Sequence, residues 1–352
     1  MSPVSVEPQG LLDMFPLDLP PGQRVLALFS AKWTIGALRP LVELGVPDLL
    51  ASSPKTAAQL AEATRTKADV LHRLLRATAS AGIFREQDDG TYALTEYSET
   101  LRSGVTGGIR EMFLFASHRM MWRPYEEVLH TARTGESAFE QAFGVSFFEY
   151  LQTDPASGRL FDQAMRQNQY PETDRILLEY DFGRFRRIAD VGGGQGQFLA
   201  EMLGRHPGCA GVLCDQPQVV ADAEPVFEQR GVADRVEIAA VDFFAELPKG
   251  CDAYFIKHTL HNWDDEHAIR ILHTIRTAIG EDTSARLLIV DMLLTGSPGW
   301  DVGKLIDIEM LAALGGRERS RGEWNRVTEA AGFAPANDPA PGALALLEFR
   351  PV

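Results

Sequence analysis

The chain has 352 residues, 45% of them hydrophobic and 24% charged, which is ordinary for a globular protein with room for two domains. Its formal net charge of −15 repels nucleic-acid phosphate on average, so such a partner would need a local basic patch. No apolar run approaches the roughly 18 residues of a membrane span. The three cysteines, Cys209, Cys214 and Cys251, are scattered without metal-type spacing, as expected of reduced thiols in a cytoplasmic protein.

Met1 to Leu19 is acidic and contains proline; it reads as a loose arm rather than a signal peptide. From Arg24 to Leu50 the pattern is helical, punctuated by Pro40 and Gly45, and more apolar than one core stripe requires. That excess predicts a subunit interface, hence a homodimer. Thr56-Ala-Ala-Gln59 is a capping box. Lys67 to Ala81 is a second helix, with Val70, Leu71, Leu74, Leu75 and Thr78 turned inward and Gly82 ending it. Ile83-Phe-Arg85 and Thr91-Tyr-Ala-Leu94 flank Asp88-Asp-Gly90, a hairpin signal. Together these predict a winged helix. One reading is a DNA-binding regulator. The acidic wing tip (Glu86, Asp88, Asp89) opposes it and favours packing or dimerisation.

The stretch 106–180 is expected to be a helical linker and lid between an N-terminal domain (1–105) and a C-terminal domain (181–352). It is dense in flexible and aromatic side chains, among them Met112, Phe115, Met121, Trp122, Phe161 and Met165. Such residues commonly form core, but they also suit a cover over a flat apolar substrate. His118 reads as a structural polar group.

The rest of the chain alternates strand and helix, predicting a doubly wound, Rossmann-like α/β sheet. Its strands are Ile188–Val191, Gly211–Cys214, Val236–Ala240, Ala253–His258, Arg286–Met292 and Leu344–Phe349. The first feeds Asp190-Val-Gly192-Gly193-Gly194-Gln-Gly196 and then an apolar-periodic helix. This aims free N–H groups and a helix dipole at a ligand. The dinucleotide spacing G-x-G-x-x-G fails, since Gln197 or Leu199 stands where the third glycine belongs. The run instead resembles the first motif of S-adenosylmethionine (SAM) dependent methyltransferases.

Ligands of such sheets bind beyond the C-terminal strand ends. Asp215 ends the second strand, about 20 residues after the glycine turn, where a carboxylate can accept two ribose hydroxyls. Asp242 ends the third, followed by Phe243 and Phe244; the acid can accept from an adenine amino group while Phe243 covers the ring. Lys257 interrupts the apolar fourth strand, and a buried ammonium needs a partner or a polar ligand. His261 follows, placed to take a proton from a substrate hydroxyl. Asp291 and Glu318 are two acids that can hold its ring. No metal-ligand cluster is visible in the spacing.

As an ordered set these motifs resemble the plant-type small-molecule O-methyltransferases and their bacterial relatives in antibiotic and pigment biosynthesis. The carrying residues are Asp190–Gly196, Cys214-Asp-Gln216-Pro-Gln-Val-Val220, Asp242-Phe-Phe244, Lys257–Asp265, Asp307-Ile-Glu-Met310-Leu311 and Gly315-Gly-Arg-Glu-Arg319. The resemblance covers nearly the whole chain. It implies SAM on the glycine turn, Asp215, Gln216 and Asp242, with His261 as base and Asp291 and Glu318 as flanking acids. It implies substrate contacts at Asn262 and Met310, and a dimerising winged-helix domain. Two positions depart from the pattern: Asn262 stands where the family often has Asp, and Phe243 where plant members commonly have Met. The expected reaction is methyl transfer to a phenolic hydroxyl. The alternative is the hydroxylation, decarboxylation or ring closure that some bacterial relatives perform.

Overall fold

The computed structural model describes residues 19–167 and 171–352. The N-terminal arm lies outside them, apart from its last residue. The chain divides into two compact units, one from residues 1–126 and 145–169, the other from 127–144 and 170–352. The stretch 106–180 is thus shared between them.

In the first unit, α1 (Pro21–Ala27), α2 (Phe29–Glu43) and α3 (Val46–Leu50) precede α4 (Ala57–Thr64) and α5 (Ala68–Ser80). Pro40 does not break α2; it is accommodated inside the helix, in its last turn. The chain turns instead at Gly45, which is left-handed at φ +70°. The Thr56–Gln59 capping box forms in both directions. Beneath α4 and α5 lies a small sheet, β1 (Lys55–Thr56), β3 (Thr91–Leu94), β2 (Phe84–Glu86) in spatial order. Leu71, Leu75 and Thr78 of α5 are buried as expected, but Val70 is exposed, because it lies a quarter-turn off that stripe. Trp33 and Leu26 are 68% and 60% exposed, and Val25 and Phe29 lie open beside them. Pro21–Glu43 is also long and apolar enough to cross a membrane by length and composition, which the sequence reading did not register.

The second unit is a sheet with order β10-β11-β8-β7-β4-β5-β6. Its strands are β4 (Arg187–Val191), β5 (Ala210–Asp215), β6 (Val236–Ala240), β7 (Ala253–Lys257), β8 (Arg286–Leu294), β10 (Phe333–Pro335) and β11 (Leu344–Pro351), with a short β9 (Arg319–Ser320) beside β8. Strands β4 to β8 pair in parallel; β11 is antiparallel to β8 and β10. Alternate residues feed two cores. Ala189, Val191, Tyr254, Ile256 and Ile289 face one, and Ile188, Ala253, Phe255 and Val290 the other. Apolar residues on both faces are what a covered parallel sheet demands. The chain leaves β4 towards β5 and returns on β4's other side at β7, so the strand order reverses between β4 and β7. A crevice at the C-terminal ends follows from that reversal.

Candidate functional site

The glycine turn is built as its spacing requires. Gly192, Gly194 and Gly196 have φ of +70°, +61° and +85°, a region that L side chains avoid. Gly193 is required by space instead: a Cβ there would lie 2.6 Å from the Asp190 carboxylate. At Gly194 a Cβ would meet nothing within 4 Å, so the turn's outer face is open to a ligand. The Gly194 N–H donates to Asp215 Oδ2 at 2.8 Å, and the Gln216 N–H to Asp215 Oδ1 at 2.7 Å. A carboxylate oxygen carries two lone pairs and can accept more than one hydrogen bond. Asp242 is exposed and caps its own turn by accepting from the Phe244 N–H at 2.9 Å. Phe243 and Phe244 pack with Trp263, whose ring centroid lies 4.8 Å from that of Phe244.

Asp190 and Lys257 share a face of the sheet: Asp190 pairs with Phe255, and Lys257 is the next residue on that side. Asp190 is buried and its Oδ2 has no hydrogen-bond partner in the structure. Burial pushes its pKa up to about 7, against the pull of the Lys257 charge. Burial likewise lowers the Lys257 ammonium, opposed by Asp190 and Asp291. A carboxylate with an unmet acceptor under an open glycine turn fits a cationic, amine-bearing ligand. SAM carries an ammonium and a ribose, so these residues fit it.

The second half of the site hangs on the loop after β7. The strand ends at Lys257, one residue before the expected end, because His258 is left-handed at φ +48° and leaves the extended path. A short 3₁₀ turn, Leu260–Asn262, then presents His261. Its Nδ1 lies 2.7 Å from Glu318 Oε1 and 3.3 Å from Asp291 Oδ1. Burial alone would lower the pKa of the ring. The charges of Asp291 and Glu318, with the Glu318 hydrogen bond, outweigh it and lift the value to about 9. Burial raises the Asp291 carboxyl, opposed by His261, Arg319 and Lys257. His258 stands 3.5 Å from Asp291 Oδ1, and burial, with the Lys257 and His261 charges, holds it well below the ordinary imidazole range. The donor atoms of His258, His261 and Asp291 lie within 4.8 Å of one another, a cluster that sequence spacing did not reveal. His261 Nδ1 is committed to Glu318, and neither oxygen of Asp291 has a hydrogen-bond partner in the structure.

The remaining expected contacts divide by unit. Asn262 and Met310 are half-buried in the second; Asn262 Nδ2 donates to the His258 carbonyl at 3.4 Å. Phe115 and Met121 are buried in the first, and Phe115 meets the half-buried Phe161 edge-on at 5.6 Å. Met112 is half-buried there, while Trp122 and Met165 are exposed. His118 caps the helix Arg119–Trp122, a structural part as expected. All three cysteines are free and buried.

Two residues escaped the sequence reading. Gly316 lies flat against the main chain of His261 and Asn262, leaving no room for a Cβ. Arg319 is fully buried beneath the same loop. Both sit in the quoted Gly315–Arg319 motif, where only Glu318 was given a role.

Comparison with known proteins identifies the family. The family model of the O-methyltransferase domain matches residues 122–334, and that of the O-methyltransferase dimerisation domain matches residues 26–104. The chain is 37% identical to the mitomycin biosynthesis 6-O-methyltransferase of Streptomyces lavendulae, over 87% of each chain. It is 38% identical to the 8-amino-8-demethylriboflavin N,N-dimethyltransferase of Streptomyces davaonensis, over 88% of this chain and 90% of that one. The crystal structure of LaPhzM matches with a TM-score of 0.87 at 34% identity, covering 95% of this chain and all of that one. With that fold, that glycine turn and these relatives, the chain belongs to the O-methyltransferase family and carries its dimerisation domain.

Proposed function

We propose that the protein transfers a methyl group from SAM to a phenolic hydroxyl on a flat, largely apolar small molecule of secondary metabolism, with His261 as the general base. The observation that carries this reading is the 2.7 Å contact between His261 Nδ1 and Glu318. An imidazole donating through Nδ1 to a carboxylate turns Nε2 towards base chemistry.

Bound SAM supplies an electrophilic methyl group. Gly194 and the rest of the glycine turn, with Asp215 and Gln216, hold its nucleoside end, and Asp242 and Phe243 its base. Asp190, with Lys257 beneath it, holds the charged amine. His261 takes the phenol proton as the oxygen attacks.

The raised pKa of His261 suits that step. A free phenol has a pKa of about 10 and an ordinary imidazole about 6.5. Lifting the ring to about 9 brings it closer to the phenol, which eases proton transfer. The cost is that the free enzyme holds this ring protonated at neutral pH, so turnover should favour alkaline conditions. Asp291 and Glu318 stabilise the imidazolium formed and hold the ring for in-line attack.

Relatives that methylate nitrogen make an amine the second acceptor class to test. The exposed apolar face of α1 and α2, within the dimerisation domain, supports a homodimer. Mass spectrometry of a panel of phenols, aromatic amines and aromatic acids incubated with SAM and enzyme tests the acceptor. A phenol heavier by one methylene supports the reading. A product without S-adenosylhomocysteine would point to the repurposed, non-methyl chemistry instead.

A further inference from the structure

Arg319 is a charged side chain with no exposure at all. Its guanidinium spends its donors in one direction. Nη1 donates to the Leu260 carbonyl at 3.0 Å and Nη2 to the Trp263 carbonyl at 2.9 Å. Nε donates to Asp265 Oδ1 at 3.0 Å, and the plane lies over the Trp324 ring at 5.1 Å. Leu260 and Trp263 bracket the 3₁₀ turn that holds His261. Arg319 itself is fixed in β9 beside Leu293, and its chain neighbour is Glu318. From the same segment the Arg317 N–H donates to the His261 carbonyl at 2.8 Å, and Gly316 packs flat on that peptide. A buried guanidinium is costly unless its donors are met, and here the partners are two main-chain carbonyls of the His261 loop and the Asp265 carboxylate.

We propose that Arg319 is a positioning residue for methyl transfer: it ties both ends of the His261 turn to the strand that begins directly after Glu318, and so sets the His261–Glu318 hydrogen bond. This rests on His261 being the base. Only the planar fork of arginine reaches two carbonyls and a carboxylate together; a lysine has one nitrogen to place. Misplacing a reacting group by about 1 Å costs on the order of 10²-fold in rate.

The test compares the wild type with R319K and H261N, using whichever methyl acceptor the panel yields. R319K is expected to lose about 10- to 100-fold in kcat. Its affinity for SAM should stay within about twofold, because no SAM-holding residue is touched. The midpoint of its kcat/KM profile should fall below about 9, as the ring loses Glu318 and keeps Asp291. A second readout needs no turnover: the proton shared by His261 Nδ1 and Glu318 should give a far-downfield proton resonance that H261N lacks. In R319K that signal should move upfield or vanish. If R319K fails to fold, Asp265→Ala loosens the same guanidinium from a half-exposed anchor and should move both readouts the same way. A folded variant with the wild-type midpoint and resonance overturns the proposal, even if its melting temperature drops. If H261N instead turns over like the wild type, the base assignment falls, and the role of Arg319 in the reaction with it.

Discussion

Glu318 Oε1 meets His261 Nδ1 at 2.7 Å across 57 residues of sequence, and the two are brought together main chain to main chain. Arg317, one residue before the acid, donates its N–H to the carbonyl of His261 itself. The acid and the histidine are therefore fixed as a pair by backbone as well as by side chain. Replacing His261 by Ala should lower kcat by about 10²–10⁴-fold, the usual worth of a general base. SAM affinity should barely change, since His261 pairs with Glu318 and Asp291 rather than with a cofactor residue. Steady-state kinetics beside calorimetric titration checks both; unchanged turnover removes His261 from the mechanism.

The pH dependence has a definite sign. The active form of His261 is neutral, and its pKa is raised to about 9, so kcat/KM should climb about tenfold per pH unit below that value and level off above it. Glu318→Gln removes one of the two charges that lift the ring, and should move the midpoint downwards while lowering the plateau. The same shift links to stability. A histidine raised above its unfolded value of about 6.5 contributes fully below that pH, and the contribution is lost as pH rises to about 9. The wild type should lose more stability than H261N between those limits, measured by urea unfolding at a series of pH values. A profile centred near 6.5 would show that the two acids do not control the ring.

Asp215 accepts the Gly194 N–H, so it both shapes the glycine turn and faces the ligand. Asp215→Ala should weaken SAM binding by roughly 10- to 100-fold, the loss of one or two charge-assisted hydrogen bonds. Its kcat at saturating SAM should fall much less. An unaltered dissociation constant by calorimetry would remove Asp215 from the cofactor site.

Gly193→Ala forces a methyl to within 2.6 Å of Asp190 and of Leu213 in the core. Overpacking of this kind costs about 1–3 kcal/mol. Thermal unfolding should show that loss, together with weakened SAM binding. Gly194→Ala meets open space and should fold better, paying only for its left-handed φ. Equal melting temperatures for the Gly193 variant and the wild type would contradict this packing.

Trp33 and Leu26 present an apolar face within the dimerisation domain. Trp33→Glu should shift a dimer towards monomer in light scattering, by placing a charge where the interface core excludes one. A variant that stays dimeric at low micromolar concentration would move the interface elsewhere.

Much of this was legible in the chain because it follows from local rules. Apolar runs bounded by turns located β4 to β8, and the glycine spacing separated a SAM turn from a dinucleotide one. The acids at strand ends were visible because a parallel sheet exposes its C-terminal edge. What escaped depends on distant contacts. Nothing near His258 announces a left-handed residue that ends β7 early. Arg319 looks like any surface arginine until β9 docks on β8 and buries it. Gly316 is a second glycine after a helix end, and only the His261 peptide against it explains why a side chain is excluded. Phe115, Met121 and Phe161 show the limit of periodicity, which cannot separate a side chain in a core from one in a pocket.

The central claim is methyl transfer from SAM with His261 as base, and one measurement meets it directly. Wild type and H261N are incubated side by side with methyl-deuterated SAM and the acceptor panel, and product is followed by mass spectrometry. The account predicts a trideuteromethyl group on a phenolic oxygen in the wild-type reaction. Product should form at least about 10²-fold more slowly with H261N, at equal SAM occupancy. Label transfer at the same rate in both proteins, or acceptor consumed without label, would contradict it.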